Sequence, residues 1–112
     1  MSELWQVVAR IDDERGRSGI GLGTQSVLWS DATVFERLGG PAGNALMFQL
    51  TAHALRECEG ETFGDPRELL DRLFPSVLAH GEAMTGGKLR PTFVLNALVP
   101  VDNAAWQLHA AR

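Results

Sequence analysis

The fold is decided by the stretch VARIDDERGRSGIGLG, residues 8–23. Apolar residues occupy every second position over residues 5–11, which is the period of a strand with one buried face. The polar segment that follows has turn chemistry, and Gly16 is free to take a positive φ. Ile20 and Leu22 then alternate with glycines in a second extended run. The sequence therefore predicts a β-hairpin.

The glycines of the second run leave one face of the strand without side chains, so we expect another backbone to pack closely there. They do not make a dinucleotide site, because the pattern GxGxxG would need glycine where Thr24 stands and a helix at once after it. A phosphate-binding loop at Gly86-Gly87-Lys88-Leu89 is also excluded, since Leu89 replaces the Ser or Thr that would hold magnesium.

Helical periodicity dominates the rest of the chain. It predicts helices over about 42–59, 65–80 and 91–112, after strands within 3–24 and a loop over 25–41. Asp65-Pro66 is a good helix start, Gly60 a good helix end, and Gly81 to Arg90 is expected to be a loop. Pro75 should kink or break its helix, and Pro100 should bend the last one. Strands followed by helices indicate an α+β fold, a small antiparallel hairpin and a three-helix bundle.

Composition indicates one globular domain of 112 residues. The net charge of -4 and the absence of a basic cluster argue against nucleic acid and membrane as partners. Cys58 is the single cysteine, so no internal disulfide forms, and no apolar run reaches the ~18 residues of a membrane span. We expect a cytoplasmic protein.

Residues with catalytic or metal-binding chemistry do not fall into a recognisable pattern. His53, His80 and His109 are too widely spaced for a local metal site. The acidic residues 12–14 fit a solvated turn better than a cation site. The sequence predicts neither a catalytic residue nor a metal ligand in this chain.

The segment SVLWSDATVF, residues 26–35, combines apolar walls with directional polar groups, as in a ligand lid. The substrate-binding candidates at and next to this segment are Gln25, Ser26, Trp29, Ser30 and Asp31. The alternative is that the side chains of Trp29 and Phe35 pack against the underside of the domain, because aromatic side chains are usually buried.

Two motifs carry a resemblance to a family. VDNAAWQLHAAR, residues 101–112, resembles the A-[IV]-D-x-A-x-W-D-L helix of the enolase superfamily, in its mandelate racemase and muconate lactonizing branch. The hairpin looks like that branch's V-x-V-x-T-D-x-G-x-x-G-x-G strand pair. The order and separation of the two motifs also fit the N-terminal capping domain of such enzymes, with Pro100 and Gln107 as departures from the helix pattern.

The resemblance implies a capping role without catalysis in this chain. Complete members abstract a proton next to a carboxylate and stabilise the enediolate with Mg²⁺, as racemases, cycloisomerases or sugar-acid dehydratases. Their bases and metal carboxylates stand on a (β/α) barrel, which these residues do not contain, so Mg²⁺ is expected only in a complete member. One further strand and a flap normally precede the hairpin. The loop after it would help to select the substrate.

Two kinds of partner follow from this interpretation. A barrel domain, or a second chain that supplies one, would cover the apolar face of the cap, and the chain alone should be inactive. The alternative is a stand-alone interaction module that retains the cap fold and covers its exposed apolar face with a partner or as a homo-oligomer.

Overall fold

The computed structural model describes residues 5–25, 40–60 and 65–110. These residues form two strands and three helices in chain order: β1 (Trp5–Asp12), β2 (Ser18–Gln25), α1 (Gly40–Cys58), α2 (Pro66–Thr85) and α3 (Pro91–Ala110). The two strands pair as one antiparallel sheet. The α+β class and the order of a hairpin before three helices are confirmed, and the described residues contain no barrel.

The hairpin pairs without interruption from Trp5 opposite Gln25 to Asp12 opposite Ser18. Its turn is held by Asp13, whose carboxylate accepts the backbone N–H of Arg17 at 2.9 Å and its Nε at 2.7 Å. Desolvation raises the pKa of Asp13, but the bonds from Arg17 and from the Arg15 backbone outweigh it and leave that pKa lowered. Gly16 has φ of 80°, as the turn prediction required.

The glycine face of β2 packs directly on the backbone of α3. A Cβ atom built on Gly19 would lie 2.0 Å from the carbonyl oxygen of Ala104, and one built on Gly21 would lie 2.0 Å from that of Pro100. No side chain fits at either position. The expected close approach is confirmed, and its partner is the last helix.

Helix α2 begins as predicted but ends later. Asp65 caps it by accepting the backbone N–H of Arg67 at 2.8 Å, and Pro66 occupies the first turn. The helix runs unbroken through Pro75, which is exposed, and reaches Thr85. The expected loop from Gly81 was therefore wrong over its first five residues.

Gly81 lies inside the helix because of packing. A Cβ there would be 2.7 Å from Leu89 Cδ1 and 3.1 Å from Leu50 Cδ1. The helix ends instead at Gly86, whose φ is 71° and whose N–H donates to the carbonyl of Glu82. Gly60, after α1, also has a positive φ, in agreement with its predicted role.

Helix α3 is the centre of the molecule, because both strands and both other helices pack on it. Its buried side also provides half of the apolar core. The fully or almost fully buried apolar side chains of the three helices are Met47, Leu50, Ala54, Leu69, Leu73, Val77, Phe93, Val94, Ala97, Leu98, Val101, Ala104, Ala105 and Leu108. Val7 and Ala9 add the inner face of β1.

Candidate functional site

The exposed large apolar side chains fall mainly into two groups. The outer face of the hairpin carries Val8 and Leu22, each 64 % exposed and opposite each other across the sheet, and Ile20. The solvent side of α3 carries Val99 and Trp106, 39 % and 41 % exposed, and further toward its start Leu95. Single exposed apolar residues are ordinary, but two such rows suggest an interaction surface.

Two side-chain amides join these groups. Asn103 Nδ2 donates to the carbonyl oxygen of Leu22 at 2.9 Å. Gln107 Oε1 accepts the backbone N–H of Ile20 at 2.6 Å. On α3, Asn103 lies one turn after Val99 and one turn before Trp106, so all three share one side of the helix. The outer hairpin face and the helix row therefore meet along β2, and we call the combined area the hairpin–helix surface.

A carboxylate lies beside the helix row. Burial raises the pKa of Asp102, and a hydrogen bond from Trp106 partly opposes that shift. Asp102 also borders a narrow crevice between α2 and α3. Apart from Asp102, the crevice is lined by apolar residues, namely Pro66, Leu69, Leu70, Leu73, Leu98 and Val101. The Trp106–Asp102 contact fixes the indole ring at the hairpin–helix surface.

Gln25 alone among the five substrate-binding candidates falls within the described residues. It is the last residue of β2, its side chain is fully buried, and its Nε2 donates to Thr51 Oγ1 at 2.7 Å. Thr51 in turn donates to the carbonyl of Ala97 at 2.6 Å, so this chain of bonds ties β2, α1 and α3 together. Gln25 Oε1 is buried and has no partner among the described residues.

The other four candidates lie outside the described residues. Ser26, Trp29, Ser30 and Asp31, together with the rest of the proposed lid, stay predictions. What the structure adds is the position of the residue before them. Gln25 ends β2 inside the core, next to the junction of α1 and α3.

The structure brings together two histidines that the sequence keeps apart. The rings of His53 on α1 and His80 on α2 stack in parallel, with centroids 3.8 Å apart. Glu57 Oε1 lies 2.5 Å from His53 Nε2 and accepts the hydroxyl of Ser76 at 2.6 Å. Only the register of α1 against α2 produces this cluster, so sequence spacing carries no signal for it. Two parallel rings cannot direct a nitrogen lone pair each at one metal ion, so this pair is not a metal site. The cluster holds α1 and α2 together.

Acidic residues of the hairpin turn are engaged with neighbouring polar groups. Asp12 accepts bonds from Ser18 Oγ at 2.6 Å and Arg10 Nε at 2.8 Å, which together lower its pKa. Among the described residues, no three His, Cys, Asp or Glu side chains are grouped so that they could hold a metal ion. None of the helices over the described ranges is long and apolar enough to cross a bilayer.

No family model matches the chain, and no curated protein or solved structure matches it.

Proposed function

We propose that this chain is a capping domain of the enolase superfamily, in the mandelate racemase and muconate lactonizing branch, that acts in the cytoplasm. Its role would be to cover the mouth of a (β/α) barrel and to help select a carboxylate substrate. The complete protein would abstract the proton next to that carboxylate, as a racemase, cycloisomerase or dehydratase. Its bases would belong to the barrel.

The observation that carries the proposal is the hairpin–helix surface. A domain of this size normally covers such rows of apolar side chains, and here Val8, Leu22, Val99 and Trp106 remain exposed. Trp106 belongs to the motif that resembles the family's junction helix, and it is held in place by Asp102. The order of hairpin and helices also agrees with that role.

Magnesium belongs to the barrel in this proposal. Asp12 and Asp13, the neighbouring carboxylates of the hairpin turn, are bonded to Arg10 and Arg17. What this chain would supply is the exclusion of water and contacts to the substrate, through the segment after Gln25.

The test is to mix the 112-residue chain with a separately expressed barrel from a mandelate racemase-type enzyme that lacks its own cap. Binding is measured by calorimetry, and turnover by racemisation or dehydration of carboxylate substrates with Mg²⁺. We expect binding, turnover only in the mixture, and a loss of affinity of about tenfold for Val99→Asp, because a charge would be placed in an apolar interface.

The matched control is Ala79→Asp, which places the same charge on an exposed position of α2. It should bind as the unchanged chain does. Turnover by the chain alone would contradict the non-catalytic role. Failure to bind any barrel of the branch would contradict the capping role.

A second candidate is a stand-alone interaction module that uses the same fold. It is favoured by the exposed outer face of the hairpin, which carries Val8, Ile20 and Leu22. This alternative predicts self-association or partner binding without any barrel. A chain that binds no barrel but associates through the hairpin would support the module.

A further inference from the structure

Helix α3 closes the outer edge of β2. The Ile20 N–H donates to Gln107 Oε1, and the Leu22 carbonyl accepts from Asn103 Nδ2. In an antiparallel strand the N–H and C=O of one residue point to the same side. Ile20 and Leu22 therefore direct their backbone groups away from β1, and two polar side chains of α3 satisfy part of that edge.

The outer edge of β1 is open by the same geometry. Val8 and Leu22 face each other in the register as a pair that exchanges no backbone bonds, so the backbone groups of Val8 point away from β2. The same holds for the alternate residues Gln6, Arg10 and Asp12. Over residues 5–25, 40–60 and 65–110, the sheet has two strands and no backbone bond reaches this edge. Such a row of donors and acceptors fits an extended strand.

Strand β1 lacks the features that usually block an edge. It contains neither proline nor glycine, and its eight residues pair in regular register without a bulge. Val8 on its outer face is 64 % exposed. The two charged residues of the edge, Arg10 and Asp12, neutralise each other through a bond of 2.8 Å. Among the described residues, the edge therefore carries no net charge and is unpaired.

We propose that β1 pairs antiparallel with β1 of a second copy, about a two-fold axis at Val8, to form a four-stranded sheet. An isologous dimer of this kind needs a strand that is complementary to itself. A two-fold axis at Arg10 would place two guanidinium groups opposite each other, which is unfavourable. An axis between Val8 and Arg10 would pair an apolar residue with a charged one.

The axis at Val8 gives the most complementary pairing. It places Val8 opposite Val8 of the second copy and Gln6 opposite its Arg10. Because Leu22 is the partner of Val8 within each hairpin, one apolar row of Leu22, Val8, Val8 and Leu22 would cross all four strands. The pairing also completes the hydrogen bonds of the open edge. This inference goes beyond the capping role and does not rest on it.

The test is sedimentation of the full chain over a concentration series to about 1 mM, a range that detects Kd values of weak dimers. We expect a monomer–dimer equilibrium. Val8→Lys should raise Kd by about tenfold or more, because two ammonium groups would lie opposite each other at the axis. Ala79→Lys is the matched control, because it places the same charge on an exposed position of α2 away from the sheet, and Leu22→Lys tests the neighbouring strand.

Leu22→Lys should weaken the dimer less than Val8→Lys does, because its charge stays a strand away from the second copy, and Ala79→Lys should leave Kd unchanged. Circular dichroism checks that each variant folds. Should Val8→Lys not fold, Val8→Pro removes an N–H that the hairpin does not use and should abolish the dimer. A monomer at every concentration would overturn the proposal. Equal weakening of the dimer by Val8→Lys and Leu22→Lys would also overturn it, because it would indicate that the two copies stack through the outer faces of their hairpins.

The register is tested by oxidation in a Cys58→Ser background. Val8→Cys should form a disulfide-linked dimer, since Cα atoms opposite each other in a bonded antiparallel pair are about 5.5 Å apart, within disulfide range. Arg10→Cys should not, because its counterpart would lie four residues along the opposite strand. Crosslinking of Arg10→Cys but not Val8→Cys would overturn the assigned axis.

Discussion

Replacing Gly21 with alanine tests whether the hairpin is held by direct contact between the backbones of β2 and α3. The new Cβ would lie 2.0 Å from the Pro100 carbonyl oxygen and 2.4 Å from the Ala104 nitrogen. Ordinary contact begins at 3.4 Å, so the strand and the helix must separate by 3.4 − 2.0 = 1.4 Å at this point. Both colliding atoms are backbone, and no change of rotamer relieves the clash.

The expected cost is about 3 kcal/mol, at the upper end of what overpacking costs in a tightly packed interior. For a domain of this size that corresponds to a fall of about 12 °C in the thermal midpoint. The Ile20–Gln107 and Leu22–Asn103 bonds are lost as the strand moves, which adds to the effect. Urea unfolding followed by circular dichroism gives the free energy, and hydrogen exchange of the β2 amides gives the local effect.

Two further variants show how the stability cost depends on the depth of the clash. The Cβ atom of Gly23→Ala would lie 2.7 Å from Pro100 Cγ, so the strand must shift by 3.4 − 2.7 = 0.7 Å. This variant should lose less stability than Gly21→Ala. Thr24→Ala, on the exposed face of the same strand, should cost about 1 kcal/mol or less. A cost below about 0.5 kcal/mol for Gly21→Ala would refute the direct backbone contact.

Other predictions concern the core, the caps and the pH dependence. Thr51→Val should cost about 1–3 kcal/mol in urea unfolding, since it leaves the buried amide of Gln25 without an acceptor, and adding Gln25→Leu should recover part of that loss. Leu50→Ala should cost about 2–5 kcal/mol by the same measurement, because Leu50 is fully buried between helices, and a smaller cost would mean that the core collapses around the gap. Asp65→Ala should lower the thermal midpoint at pH 7. A hydrogen bond from the backbone N–H of residue 67 lowers the pKa of Asp65. The stabilisation of the folded chain by the cap is therefore present above the ordinary carboxyl pKa and is lost as pH falls through the pKa of the folded state. An effect of Asp65→Ala that does not change with pH would contradict the cap. Burial raises the pKa of Asp102, so its ionised form destabilises the folded chain. The free energy of unfolding therefore increases as pH falls from the pKa of the folded state to the ordinary carboxyl pKa. Asp102→Asn should remove that gain, and identical pH profiles for the two proteins would count against it.

Local patterns were enough to predict the hairpin and the existence of all three helices. Alternation in β1, the turn at Gly16 and the Asp65-Pro66 cap are each set by neighbouring residues, and each prediction is confirmed. The glycines of β2 predicted a close backbone contact. They did not predict its partner, because α3 lies about 80 residues further along the chain.

Errors arose where packing overrides local preference. Gly81 predicted a helix end, but it is buried under Leu50 and Leu89, and the helix continues over it. Of the kink or break expected at Pro75, which is exposed, the break does not occur. The stacking of His53 on His80 depends on how two helices face each other, which no spacing rule contains.

The candidate surface was predicted only in outline. An exposed apolar face is expected from the sequence, and Trp106 belongs to the helix motif that resembles the family. The amides of Asn103 and Gln107 at the edge of β2 could not be anticipated. Gln107 was noted only as a departure from the family pattern, yet it binds the Ile20 N–H.

The position of α3 also sets the order in which the chain can fold during synthesis. Asn103 and Gln107 bind residues 81 and 87 positions earlier, and Ala104 supports Gly19 from the same helix. The hairpin, made first, lacks its main docking surface until the ribosome has released residues beyond 104. Contacts of such long sequence separation slow folding. The nascent hairpin is therefore the segment for which a cell would need a chaperone, and its glycine face is covered only when the last helix arrives.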